Sequence, residues 1–288
     1  MKPKRLFYAI LLLTITAFCG KSQTVFQYPV APDTCTTLES RCDYIIQRFW
    51  DNCDLSKTFT NDSAYLVTMT DYFEIMKNAN RQVGLASIRD LMFKAQSNHT
   101  NFSKLMQYAE FLLFMRPTDM IDDVYLAFAA SAAEASWVEK EVKTYYKDQI
   151  ARINTCKMGE PMANFVMNDT KGKKTHLYDI PLDSAQAQIL VFTNNDTDGD
   201  IAKLRLSTDL NLNRYVGAGV VKLITIDVSG KADIKADEAK YPTWTATACK
   251  DAIDKIDIRR MPAVFILDAD HKVMRKNLSI DELINMFN

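Results

Sequence analysis

The hydrophobic period of the chain changes near residue 157, and this change limits the fold more than any other feature of the sequence. From Thr36 to Asn154, apolar residues recur at helical spacing. Leu38, Cys42, Ile45, Ile46 and Phe49 share one face, and Leu66, Met69, Phe73 and Met76 share another. Val83, Ile88, Leu91 and Ala95 make a third stripe, weakened at its start by Gly84. Phe102, Leu105, Met106, Ala109, Leu112 and Leu113 make a fourth, stopped by Pro117. The Ala-rich stretch Asp119–Ser136 and the more charged Val138–Asn154 complete the set. Thr36 with Glu39 reads as a capping box ahead of the first helix. Short connections predict an antiparallel helical domain, and no fixed-period repeat is present.

Residues 158–288 alternate strand and helix instead. Asn164–Met167 is a short strand leading to a turn at Lys171-Gly172-Lys173. Ile189–Phe192, Val220–Val228 and Ala263–Leu267 are apolar runs of the kind shown by strands buried on both faces. Ile201–Tyr215 reads as one helix, Asp268–His271 as a turn and Lys272–Lys276 as a hairpin partner. Ser279 with Glu282 caps a final helix. The expected fold class is α + α/β: a helical domain over 23–157 and an α/β domain over 158–288, the latter able to fold alone.

The first 22 residues read as an address. Lys2, Lys4 and Arg5 precede the uncharged run Leu6–Phe18, which is too short to cross a bilayer but suits a signal-peptide core. Gly20-Lys21-Ser22 offers a cleavage site, so residues 1–22 are expected to be a signal peptide. The competing readings are lipid attachment at Cys19, despite the bulky Phe18 before it, and a retained anchor. Cleavage leaves 31 basic against 36 acidic residues, a net charge of −5 that suits an exported protein of the Gram-negative periplasm or envelope. The whole chain is near neutral, with 35 basic and 36 acidic residues, so nucleic acid is not an expected partner. Contact with a membrane is expected only through a lipid on Cys19.

Chemistry-bearing residues are sparse. His99, His176 and His271 are far apart, and the last two fall near turns where solvation is expected. Asp43, Asp51, Asp54, Asp122 and Asp123 read as helix-end or surface acids. Cys35, Cys42, Cys53, Cys156 and Cys249 contain no C-x-x-C pair. The first three are close enough for one local bridge, and the alternative is burial as small apolar residues. No P-loop, G-x-S-x-G, G-x-G-x-x-G or H-E-x-x-H motif occurs, and no cofactor is expected.

Three stretches carry a resemblance: Met158–Phe165, Ile189–Phe192 and Ile258–Asp268, the last containing Met261-Pro262. Together they resemble a thioredoxin-like domain of the exported thiol–disulfide interchange type. The helical half, with Phe49-Trp50-Asp51-Asn52, resembles the uncharacterised helical domain found ahead of such domains in exported bacterial proteins. The resemblance implies a cis peptide before Pro262 and a peptide-binding groove beside Met261 and Pro262. It also implies a Cys-x-x-Cys pair after the first buried strand, at a helix N-terminus that favours the thiolate. Here that loop reads Thr193-Asn194-Asn195-Asp196-Thr197-Asp198-Gly199-Asp200, with Thr197 and Asp200 where the cysteines would stand. Neither side chain can form or resolve a mixed disulfide. The same loop opens like a calcium loop, with Asn194, Asp196, Asp198 and Asp200 as candidate ligands, but Arg205 stands where a bidentate Glu is needed. An Asx-rich N-cap is the alternative. Two functions follow. The first is a non-redox envelope protein that binds a peptide or protein partner or acts as a scaffold. The second is an envelope enzyme, either thiol-dependent through a single cysteine such as Cys249 or of an unrecognised kind.

Overall fold

The computed structural model describes residues 25–115 and 122–288. The signal segment, Cys19, Pro117 and the start of the Ala-rich stretch lie outside the described residues. The helical half contains α1 (Leu38–Arg48), α2 (Asp62–Met76), α3 (Arg81–Ala95) and α4 (His99–Ala109). A π-helical turn, Glu110–Phe114, extends α4, and α5 (Asp122–Glu134) and α6 (Lys140–Asn154) follow. Each stripe read from the sequence contributes to one core, which contains Ile46, Phe49, Met69, Tyr72, Ile88, Leu91, Phe102 and Phe128. Leu38 departs from its stripe and is 65% exposed at the end of α1.

Three local details differ from expectation or sharpen it. The capping box lies one residue later than Thr36–Glu39: Thr37 is extended, its hydroxyl accepts from the Ser40 N–H at 3.1 Å, and the Ser40 side chain closes the box. Gly84 has a packing reason beside its low helix propensity. It lies inside the helix, where a Cβ would sit 2.9 Å from Met76 Cγ, so its lack of a side chain lets α2 and α3 approach. Asn101 is fully buried and holds the loop before α2, accepting from the Phe59 N–H and donating to the Leu55 and Lys57 carbonyls.

The second half is a thioredoxin-like α/β domain. Its strands are β1 (Val166–Asn168), β2 (Lys174–His176), β3 (Ala187–Thr193), β4 (Val221–Asp227), β5 (Thr245–Ala248), β6 (Ala263–Asp268) and β7 (Val273–Leu278). They form one sheet in the order β2-β1-β5-β4-β3-β6-β7. β3, β4 and β5 are parallel, whereas β6 runs antiparallel to β3 and β7. Alternation splits the core. Leu190, Phe192, Ile226 and Phe265 pack on one face, and Ile189, Val191, Leu206 and Leu283 on the other.

The helices are α7 (Thr197–Thr208), α8 (Leu210–Gly217), α9 (Ile234–Lys240), α10 (Ala252–Lys255) and α11 (Ile280–Asn285). The single helix expected over 201–215 is two. Asp209 ends α7 and caps α8, its carboxylate accepting from the Leu212 N–H at 2.7 Å. The Ser279–Glu282 capping box is present as read. Strand β5 had no sequence signal, because Thr245-Ala246-Thr247-Ala248 carries no large apolar side chain.

The two halves meet over a buried ionic cluster. Asp257, on the loop before β6, is gripped by Arg259 through Nε at 2.7 Å and Nη2 at 2.5 Å, and by Lys276 Nζ at 2.8 Å. Lys276 also reaches Asp122 at the start of α5, at 2.9 Å, and Arg259 approaches the same carboxylate at 3.5 Å. These four side chains are between 1% and 6% exposed. Asp122 is therefore not the surface acid its helix-end position suggested. Burial pushes the Asp257 carboxyl up, but the Arg259 guanidinium and the Lys276 ammonium outweigh it and hold the group below the usual carboxylate range. A depressed carboxylate contributes stability above its unfolded value of 3.8, and that contribution is lost as pH falls through the folded value. Asp257→Asn should lower unfolding free energy by about 3–5 kcal/mol at neutral pH, because two buried cations lose a counter-charge. Urea unfolding at pH 7 and at pH 3 checks it: the wild-type–variant gap should shrink in acid, and an equal gap at both pH values would contradict it.

Candidate functional site

The candidate site lies where β3 and β4 end and β6 begins. Phe192 pairs with Ala263 and Thr193 with Asp227, so the loop after β3 and the loop before β6 leave the sheet at one end. This is the carboxyl end of the parallel strands, the usual place for ligands on open α/β sheets. Asn194–Asp196 leads directly into α7, whose first residue is Thr197. Thr197 and Asp200 are three positions apart in the first turn and so lie on the same side of the helix.

The N-terminus of α7 is occupied by the chain's own carboxylate. Asp196 is extended and its Oδ1 accepts from the Gly199 N–H at 2.9 Å, the N-cap arrangement. Asp198 and Asp200 follow in the first turn, where the helix dipole favours negative charge. Asn194, the fourth candidate ligand, lies in the loop ahead of the cap. Among the described residues, no three His, Cys, Asp or Glu side chains gather into a metal-binding group. Gly199 is needed for close approach: a Cβ there would lie 2.2 Å from the Asn194 carbonyl oxygen. Behind the loop, the buried hydroxyl of Thr193 has no hydrogen-bond partner among the described residues.

Across the end of the sheet, the Met261–Pro262 peptide bond is cis. The loop that carries it is fastened on both sides. Asn277, with φ +56, accepts from the Arg259 N–H at 2.8 Å and donates to the Asp257 carbonyl at 2.7 Å. Arg260 donates to the Asn277 carbonyl at 2.7 Å and to Glu282 at 2.8 Å. Among the described residues, the main-chain N–H and C=O of Met261 bond to nothing, and Met261 and Pro262 are half-buried. Two clefts lie elsewhere: one on α1 and α3, and one of about 680 Å³ between α6 and the α/β half, lined by Tyr145, Asp148, Arg152, Asn164 and Lys255.

The cysteines are not part of this site. All five described cysteines are free, so the local bridge among Cys35, Cys42 and Cys53 does not form. Cys156 and Cys249 are buried, and burial pushes both thiols up to about 11. At Cys249 the neighbouring Asp251 pushes the same way, and the thiol donates to the Val166 carbonyl at 3.3 Å. A thiolate nucleophile needs the opposite surroundings. His176 is exposed and pairs with Asp179 at 3.1 Å. His271 is not freely solvated: its ring stacks on Tyr178 at 4.0 Å and its Nδ1 meets Gln188 Nε2 at 2.7 Å. Burial lowers the His271 pKa against the opposing pull of Asp268 and Asp270.

Residues 14–155 match the family model of a domain of unknown function, DUF5106. A thioredoxin-like protein from Bacteroides caccae superposes with a TM-score of 0.73 at 15% identity, over 92% of this chain and 98% of that one. That likeness extends across both halves and shows a shared fold. The C-terminal domain of an uncharacterised protein from Bacteroides fragilis matches 46% of this chain and 98% of its own, at 19% identity and a TM-score of 0.40. A thiol:disulfide interchange protein from a Bacteroides species matches 46% of this chain and 88% of its own, at 17% identity and a TM-score of 0.36. No curated protein sequence matches the chain.

Two measurements probe the site. Gly199→Ala should destabilise the protein by about 1–3 kcal/mol, because the new methyl group must displace backbone, and a thermal melt unchanged from wild type would refute the close approach. Iodoacetamide at pH 7 should leave Cys156 and Cys249 unmodified in the native protein and label both in urea. Rapid native labelling of Cys249, read by peptide mass spectrometry, would reverse the account of that thiol.

Proposed function

We propose that this chain is an exported envelope protein that uses a thioredoxin-like groove to bind an extended segment of a protein partner, without dithiol chemistry. The observation that carries the reading is the unpaired main chain of Met261 ahead of the cis-proline, facing a loop with no cysteine. An extended peptide can pair with that N–H and C=O as an added strand pairs with a sheet edge. Thr197 and Asp200 supply no sulfur, so no mixed disulfide forms when a partner lies in the groove. The loop does supply Asp196, Asp198 and Asp200, all three exposed, with Asp196 committed to the helix cap. Lys2, Lys4 and Arg5 ahead of the Leu6–Phe18 run support export to the periplasm. The single-cysteine enzyme draws no support from Cys249, a buried thiol whose surroundings favour its protonated form.

Insulin reduction in dithiothreitol tests the chemical half of the proposal. The wild-type protein should not exceed the uncatalysed rate, and the double variant Thr197→Cys with Asp200→Cys should exceed it. Wild-type catalysis would overturn the non-redox reading, and an inactive but folded double variant would show that these are not the dithiol positions. Binding is tested with peptides selected from a random displayed library. In amide NMR titrations, the Met261 and Ala263 signals should shift on peptide addition. Binders that move only signals elsewhere would place the groove wrongly.

A further inference from the structure

We propose that the helical half is a brace for the cis-proline loop, so that docking of α5 and the π-helical turn sets the shape of the groove. This deepens the peptide-binding reading and rests on it only for its consequence in binding. The geometry itself is independent of any ligand. Arg259 is two residues before Met261, and its guanidinium is held both by Asp257 of its own domain and by the helical half. It donates to the Phe114 carbonyl at 3.0 Å and approaches the Leu113 carbonyl at 3.5 Å. It also lies over the Phe114 ring at 4.0 Å, a cation–π contact. The π-helical turn provides both carbonyls from its end, where the last C=O groups of a helix lack intrahelical partners.

Asp122 completes the brace from α5. Its two oxygens reach Arg259 and Lys276, and one also lies 3.3 Å from the Met158 N–H, where the α/β half begins. The next residue, Asp123, pairs with Arg81 of α3 and with Lys157 at 2.9 Å, fixing the start of α5 against its own domain. Charge decides why this contact matters. Asp257 alone faces two buried cations, and Asp122 brings the set to two against two. Without the helical half, the two cations share one counter-charge, and Arg259 keeps Asp257 but loses the Phe114 carbonyl, the Phe114 ring and Asp122. The loop from Asp257 to Pro262 would then lose the constraint that positions the Met261 main chain. A second set of contacts, Thr155 Oγ1 to the Lys255 carbonyl at 3.0 Å and Arg152 to the Ile253 carbonyl at 3.4 Å, joins α6 to α10 and leaves this loop untouched.

The test is amide hydrogen exchange in the full chain carrying Asp122→Asn, with Phe114→Ala as a second variant that keeps every charge. The Ile258 and Arg259 amides, bonded to the Ile256 carbonyl and to Asn277, report on the loop. The β3 amides of Leu190–Phe192 report on the domain. Both variants should raise exchange at Ile258 and Arg259 at least tenfold and change β3 by less than twofold. Unchanged loop exchange in both variants would overturn the brace, as would a rise that β3 shares equally, because that is global loss of stability. Affinity for a peptide that shifts Met261 should fall at least fivefold in the same variants. If no such peptide exists, the peptide-binding reading fails while the exchange data still decide the brace.

Discussion

The buried pairing of Asp257 with Arg259 and Lys276, completed by Asp122, is the contact through which the rest of the molecule is arranged. Desolvating four charges is costly, and such clusters seldom add stability over apolar packing of similar volume. Their effect is on geometry, because each charge must find its partner in one arrangement or remain unpaired in a low-dielectric interior. Here that arrangement needs residues from α5, from the loop before β6 and from β7. The cluster therefore fixes the docking of the two halves and the path of the chain into Pro262 together.

The other side of this sheet end shows how a thioredoxin-like architecture is kept around a loop without cysteine. A helix N-terminus following a buried strand concentrates N–H groups and partial positive charge. In a dithiol protein that field lowers a thiol pKa. In this chain Asp196 takes the field for itself as a cap, and Asp198 and Asp200 add carboxylates within the first turn. Gly199 is then required because the Asn194 carbonyl sits against the helix. The positive end of α7 is spent on local structure.

Much of this was legible in the sequence, for reasons that can be named. Long apolar stripes and the runs at Ile189–Phe192, Val220–Val228 and Ala263–Leu267 encode burial directly, so the helices and central strands were readable. The Ser279–Glu282 box was readable because both partners are local. Some misses were one residue out, as at Thr37, and some lacked an apolar signature, as at β5. Asp209 broke a helix because one short acidic side chain caps better than it propagates. The free cysteines, the stacked His271 and the buried Asp122 depend on partners far along the chain. No spacing rule reaches from residue 122 to residue 276.

Asp122 shows why the functional reading had to wait for the fold. As a sequence position it is an acid in the first turn of an Ala-rich helix, where the helix dipole alone accounts for it. In the structure that dipole is the smaller part of its surroundings. Two cations and one backbone N–H from the other half converge on its carboxylate. Its neighbour Asp123 faces α3 and Lys157, so adjacent acids divide the work, one fastening α5 to its own domain and the other fastening that domain to the cis-proline loop. On the proposed brace, the helical domain acquires a definite physical role, because the loop it holds is the one that carries the Met261 main chain.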